Sequence, residues 1–289
     1  MAKVYFLEYY QQGKDLLDQY KKQSPHNSGA WENVEATLNI DEADYYVMSD
    51  KTKEIPPDVA RVIFLGREPQ HVYLHSPPTK AAIKWHHEYG NCHLPTFWWL
   101  DYTYDDLYNL TYPNKTDVCS VIDSGKLVIN GHQQRLSFIA SLLNIKDIDI
   151  YGTICNAYKE HWHSPKSFKG VLPHRNKIDG LLPYKYHIAI ENGRTQHYFS
   201  EKLTDALLCW SLPLYYGCTK IDKYFPKNSY ITIDINRSGE HERIREICQN
   251  EITQEQKDDL AEARDLILNK YNIWPTVHQA VKTAENQYV

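Results

Sequence analysis

An apolar run, Ile188-Ala189-Ile190, breaks at Glu191-Asn192 into a polar loop holding one glycine, and that loop ends at Ser200 in front of a helical pattern. Leu203, Ala206, Leu207 and Trp210 fall on one face at helical spacing. Ser200 is a good N-cap residue, because its hydroxyl can accept from a free N–H of the first turn. Pro213 stops the helix, Leu214-Tyr215-Tyr216 reads as a short strand and Gly217 turns the chain. Strand, helix and strand packed this tightly imply a parallel crossover. Lys202 lies in the helix's first turn, where unpaired N–H groups and the helix dipole already favour an anion. The junction is chemically suited to a diphosphate, although an ordinary strand–helix junction has the same outline.

The alternation extends along the chain. Lys3–Glu8, Tyr45–Met48, Arg61–Leu65, Val118–Ile122, Ile148–Tyr151, Tyr186–Ile190, Leu212–Tyr216 and Tyr230–Ile235 read as strands. Gly131–Arg135 opens a helix whose stripe is Leu136, Ile139, Leu142 and Leu143. A last helix is expected over about Gln254–Tyr271, opened by a Thr253/Gln256 capping box and striped by Leu260, Ala263, Ile267 and Tyr271. Strands alternating with helices imply an α/β fold with helices on both faces of a parallel sheet. At 289 residues the chain has room for two modest domains. A boundary is expected near Lys115, giving units 1–115 and 116–252 and a terminal segment 253–289.

The formal net charge of −5 gives no general drive toward nucleic acid or an anionic membrane. No run of about 18 apolar residues exists, so no membrane-spanning helix is expected. The six cysteines are widely spaced without a C-x-x-C pair, which points to reduced thiols and a cytoplasmic setting rather than zinc or a disulfide framework. The sequons at Asn109 and Asn114 are then not expected to carry glycans. The letters DEAD at Asp41–Asp44 lack any phosphate-binding G-x-x-x-x-G-K-[ST] loop, so a helicase is excluded.

The run YKYHIAIENGRTQHYFSEKL, then ALLCWSLPLYYG, then YFPKNSYITID, resembles in order and spacing the donor-binding region of family 10 glycosyltransferases, the α-1,3/1,4-fucosyltransferases. The resemblance covers about fifty residues and implies a GT-B fold, two Rossmann-like domains facing a cleft, with the 253–289 helix packing back on the N-terminal domain. It implies a metal-independent, inverting transfer of fucose from GDP-fucose, with no cofactor, to a glycan or other hydroxyl acceptor. Arg135 then resembles the arginine that grips the donor diphosphate, and Lys202 a second phosphate ligand. Glu201 would accept from the ribose diol, Asn192 would bridge phosphate and sugar, Tyr198 would line the nucleotide pocket, and Glu191 is a candidate for the sugar hydroxyls. Read without the family, Arg135 is a solvated helix arginine, Lys202 a snorkelling lysine and Glu201 a carboxylate complementing the helix dipole.

Glu68 is the candidate general base: RVIFLGREP resembles the family strand that ends in a glutamate, and the residue follows a buried strand and the Gly66 turn. A surface loop glutamate, or one paired with Arg67, is the plainer reading, and His93 and Asp101 are the next candidates. His132 either reaches the donor or caps its helix. The cluster His86, His87, Cys92 and His93 fits no standard metal spacing, and Asp147-Ile148-Asp149 sits inside an apolar strand pattern, so neither is taken as a metal site. Phe97-Trp98-Trp99 is either an aromatic platform for an acceptor sugar or part of a core. A transferase with a different nucleotide-sugar donor or a modified DNA base as acceptor, and a non-catalytic nucleotide-sugar-binding protein, stand as alternatives. Nucleic acid is not an expected partner.

Overall fold

In the computed structural model the described residues are 1–68, 80–86, 97–143, 145–153, 167–172 and 176–287. The chain divides into two compact units. One contains residues 1–97, 102–109 and 265–289, and the other contains residues 98–101 and 110–264.

The first unit begins with β1 (Ala2–Leu7) and helix α1 (Gly13–Lys21). Strands β2 (Ala30–Trp31), β3 (Val34–Ala36), β4 (Tyr45–Ser49), β5 (Val62–Gly66) and β6 (Ile83–His86) and helix α2 (Tyr104–Asn109) follow. The sheet order is β2-β3-β1-β4-β5-β6, and every pair is parallel except β2 with β3. Without the short β2 edge the strands run second, first, third, fourth, fifth. The order therefore reverses between β1 and β4, and that reversal opens a crevice at the carboxyl ends of those strands. Along β1 the pleat sends Val4 and Phe6 to one core and Leu7 to another on the opposite face.

The second unit runs through β7 (Asp117–Asp123), α3 (Asn130–Ser141), β8 (Ile148–Gly152), β9 (Phe168–Gly170), β10 (Tyr184–Ile190), α4 (Glu201–Leu208), β11 (Leu212–Tyr216), β12 (Ile231–Thr232), α5 (Glu240–Ile247) and α6 (Gln254–Leu266). Its sheet order is β12-β11-β10-β7-β8-β9, parallel throughout. Read in chain order this is 3-2-1-4-5-6, the dinucleotide-fold arrangement, with its reversal between β7 and β10. The chain thus carries two Rossmann-like units in succession.

The C-terminal segment departs from the single helix over Gln254–Tyr271. The capping box forms, with the Thr253 N–H donating to Gln256 Oε1 at 2.9 Å and the Gln256 N–H to Thr253 Oγ1 at 3.2 Å. After α6 comes a π-turn, Ile267–Tyr271, and then α7 (Ile273–Gln287). Pro275 is tolerated because it lies in the first turn of α7. Helix α7 buries Trp274, Val277, Ala280, Val281 and Ala284 in the first unit's core beside Val4, Ile63 and Leu65. The compact units accordingly change at 110 and 265 rather than at 116 and 253. Leu110 shows why, since its carbonyl accepts from Trp210 Nε1 at 2.9 Å and from Arg264 at 3.2 Å, which ties it to the second unit.

Trp210 also differs from the expectation of a helical position. α4 ends at Leu208, and Trp210 has φ +60 in the C-terminal turn. The left-handed position there is usually glycine. Trp210 holds it through its hydrogen bond to Leu110 and the Arg264 guanidinium 4.4 Å from its ring.

Candidate functional site

The second unit's switch point collects Arg135, Asn192, Glu201 and Lys202 around the carboxyl ends of β7 and β10. Asp123 ends β7 and takes a hydrogen bond from Arg135 Nε; each side chain is at most 5% exposed. Arg135 Nη1 donates to the Asn192 side-chain oxygen just after β10. The guanidinium is thus anchored by the ends of both strands that flank the reversal. A carboxylate buried with its arginine depends on that partner, and removing either one typically costs about 3–5 kcal/mol. Close approach is built into the backbone. A Cβ at Gly131, in the first turn of α3, would stand 1.8 Å from the Asn192 carbonyl oxygen. Only glycine lets α3 meet the loop after β10.

α4 supplies the second cation. Ser200 caps it, accepting weakly from the Lys202 N–H at 3.4 Å. The Lys202 ammonium lies 3.2 Å from Glu201 Oε1, 3.3 Å from Ser200 Oγ and 3.9 Å from Glu191 Oε2. Burial would raise the Glu201 carboxyl, but Lys202 and Lys177 outweigh it and hold the group at about 2. Burial likewise disfavours the Lys202 charge, and Glu201 and Glu191 more than restore it.

Glu191 is placed differently from a sugar ligand. It is 1% exposed, and its oxygens accept from the Ser200 N–H at 2.7 Å and the Ser200 hydroxyl at 2.6 Å. It pins the two ends of the 191–200 loop together, and burial pushes its carboxyl upward. Tyr198 is also buried, with its N–H donating to Thr195 Oγ1 at 3.2 Å. His132 does not cap its helix: its Nδ1 accepts from the N–H of Val128, before the helix, at 3.2 Å; burial and then Arg135 push the imidazole below its ordinary value.

In the first unit Glu68 follows β5 at the carboxyl edge, and its backbone is fixed from β4. Asp50, in the left-handed region at φ +60, accepts on Oδ1 from the N–H groups of Arg67 at 2.6 Å and Glu68 at 3.2 Å. Arg67 does not simply pair with Glu68. Its Nε donates to Asp50 Oδ2 at 3.2 Å and its Nη2 to Glu8 Oε1 at 3.0 Å. The Tyr20 hydroxyl donates to the same Glu8 oxygen. Burial works against the Arg67 charge, and Glu8 and Asp50 outweigh it. Sequence reasoning missed Asp123, Glu8 and Asp50, because nothing but strand order brings them to their arginines.

Several other candidates find different places. Asp147 precedes β8 at the amino edge of the sheet, away from the switch point, and Asp149 is bound by the Tyr184 hydroxyl at 2.8 Å and Lys169 at 3.2 Å. Among the described residues no three His, Cys, Asp or Glu gather as a metal site. His87, Cys92 and His93 lie outside the described residues, while His86 packs over Gly66. Asp101 is exposed. Trp98 is buried, and Phe97 is partly buried against the first unit's core, edge-on to Tyr20 at 5.4 Å. Among the described residues no helix is long and apolar enough to cross a membrane.

The family model for glycosyltransferase family 10 (fucosyltransferase), C-terminal, matches residues 113–251. A 4-galactosyl-N-acetylglucosaminide 3-alpha-L-fucosyltransferase of Gorilla gorilla gorilla is 28% identical over 103 residues, 35% of this chain and 24% of that protein. An alpha-(1,3)-fucosyltransferase of Helicobacter pylori is 30% identical over 59 residues, 20% of this chain and 12% of that protein. The chain thus matches about a quarter or less of these relatives' length. Among solved structures, an alpha1,3-fucosyltransferase with GDP-fucose aligns over 99% of this chain and 89% of that one at TM-score 0.46 and 14% identity. A glycosyltransferase from Rickettsia africae ESF-5 aligns over 83% and 70% at TM-score 0.49 and 10% identity.

Proposed function

We propose that the chain, whose residues 113–251 match the model of glycosyltransferase family 10, belongs to that family and transfers fucose from GDP-fucose to a hydroxyl of a glycan. The observation that carries the reading is the pair of cations at the switch point. Arg135 is locked by Asp123 and Asn192, and Lys202 stands at the start of α4. When the donor's anomeric C–O bond breaks, negative charge gathers on the departing GDP. Arg135 offers a planar fork, and Lys202 with the α4 N-terminus offers a compact charge and free N–H groups. These fixed charges can do the neutralising that another enzyme assigns to a metal, so the transfer is read as metal-independent.

In this reading Glu201, held ionised, accepts from the ribose hydroxyls, and Asn192 orients both Arg135 and the diphosphate. Tyr198 and Glu191 shape the loop from beneath. Glu68 takes the acceptor proton while the acceptor oxygen attacks in line, so the product anomer is inverted. The free thiols Cys119, Cys209 and Cys218 are buried, which fits a reducing compartment such as the cytoplasm.

Calorimetry with GDP, UDP and ADP tests the donor, with GDP expected to bind most tightly. Turnover of GDP-fucose should survive excess EDTA. Loss of activity restored by Mn²⁺ or Mg²⁺ would overturn metal independence, and preferential binding of UDP would overturn the donor.

A further inference from the structure

The reversal between β1 and β4 in the first unit carries a second cluster that the donor chemistry leaves unused. Two loops leave the sheet side by side there: Glu8-Tyr9-Tyr10 after β1 and Asp50-Lys51-Thr52-Lys53 after β4. Tyr10 is 83% exposed and packs edge-on against Tyr9 at 5.1 Å. The Lys51 ammonium lies 4.1 Å from the Tyr9 ring centre and 5.4 Å from that of Tyr10, and the Lys53 ammonium lies 4.6 Å from the Tyr9 ring centre. Two like charges therefore converge on one tyrosine.

The nearby acids are otherwise engaged. Glu8 and Asp50 hold Arg67, Glu68 also faces Arg67, and Glu54 is directed at Tyr5. Among the described residues neither lysine is paired with a carboxylate. Cation–π contact with a neutral ring fixes the two ammonium groups without neutralising them. These are two ammonium groups without a salt-bridging carboxylate among the described residues, set at a strand-order reversal where open α/β sheets bind ligands.

We propose that Tyr9, Tyr10, Lys51 and Lys53 form an acceptor subsite selecting a sugar that carries a carboxylate or sulfate. The exposed Tyr10 ring stacks on a pyranose face, and the two ammonium groups close on the acidic substituent by charge-assisted hydrogen bonds. Glu8, beside this cluster, is held through one oxygen, which accepts from both Tyr20 and Arg67. The subsite names the substrate class of the transferase proposed above, and its role as an acceptor site rests on that reading.

The test is titration of the full chain by saturation-transfer NMR with three disaccharides differing in one unit: glucose, glucuronate or glucose 6-sulfate linked to N-acetylglucosamine. At low salt the two acidic probes are expected to bind about ten-fold tighter than the neutral one, roughly the effect of one charge-assisted contact. In the Lys51→Gln/Lys53→Gln protein, checked for an unchanged melting temperature, that preference should collapse. Tyr10→Ala should weaken all three probes alike. Equal binding of acidic and neutral probes, binding of none, or a preference that survives the double substitution overturns the proposal. GDP affinity of the wild-type protein, measured alongside, reads the transferase assignment separately, so either can fail without the other.

Discussion

Each unit fixes an arginine at the reversal of its sheet, yet the two arginines are held differently. In the second unit Arg135 shares one carboxylate, Asp123, and an uncharged amide, Asn192, and Lys202 adds a further cation. In the first unit Arg67 is claimed by two carboxylates, Glu8 and Asp50, with Glu68 adjacent. In the proposed reading the same topology builds an anion receptor in one place and a rigid mount for carboxylates in the other. A diphosphate and a general base need those opposite environments. The lesson is that strand order locates a site, while the residues ending the strands decide its sign.

The largest effect should come from the acidic side of this contrast. Glu68→Gln keeps shape and hydrogen bonding but cannot take a proton. GDP affinity should hold while kcat falls by about 10²–10⁴-fold, the usual share of general-base catalysis. Donor hydrolysis should fall in parallel, because water needs the same deprotonation. Near wild-type turnover would remove Glu68 from the role and leave the first unit's carboxylates without a catalytic purpose.

Acid should act on the second unit next, through His187. His187 lies in β10, beside β7 at the second reversal, with its Nδ1 2.8 Å from Ser120 Oγ. Burial, with Lys177 adding to it, lowers the imidazole from an ordinary 6.5 to about 3. The folded state therefore resists protonation that the unfolded chain accepts. Stability is complete above pH 6.5 and is lost progressively as pH falls toward 3, by up to about 4 kcal/mol. Glu201 works in the same direction, its stabilisation fading between its ordinary 4.5 and about 2. Asp205, pushed up to about 6 by burial, works in the opposite sense, so the His187 contribution is read by comparing variants: calorimetry at pH 7 and pH 4 should show His187→Gln losing less stability than the wild-type protein. An equal loss in both proteins would remove His187 as a cause.

How much of this was legible differs between the same two regions. The second unit announced itself because β10, α4 and β11 are each long enough to show a period, and because Ser200 and Lys202 occupy positions with local chemistry. The Thr253 capping box was readable for the same reason: its partners are three residues apart. Strands β2, β3 and β9, two or three residues each, carry no period at all. Helix α7 was hidden by Pro275, which reads as a break although it sits harmlessly in a first turn. Asp123 is 12 residues from Arg135, and Glu8 is 59 residues from Arg67, so only the folded sheets pair them. Exposed Tyr9 and Tyr10 looked no different in sequence from buried Trp98.

The arginines allow the comparison to be tested directly. Arg135→Ala and Lys202→Ala should each weaken GDP binding by about 1.5–3 kcal/mol, the range for charge-assisted hydrogen bonds. Arg67→Ala should leave GDP affinity unchanged and lower the melting temperature, since Glu8 and Asp50 would face each other without their cation. A loss of GDP affinity in Arg67→Ala, with none in Arg135→Ala, would invert the assignment of the two reversals.

The smallest effect belongs to Glu191, and it separates a loop fastener from a ligand. Both its oxygens meet Ser200, and its carboxyl is pushed upward by burial, so part of its acceptor role does not need the charge. Glutamine can still accept from the Ser200 N–H, although its amide must turn away from the hydroxyl or donate to it. The expected cost is about 1 kcal/mol or less of stability, the scale of one altered neutral hydrogen bond. Lys202 loses only a distant partner at 3.9 Å and keeps Glu201 at 3.2 Å, so GDP affinity should stay within about two-fold. Affinities for GDP and GDP-fucose measured on one preparation decide the matter. If Glu191→Gln weakened GDP-fucose alone, the carboxylate would have to reach the sugar in the bound state, and the Ser200 contacts would have to open to let it.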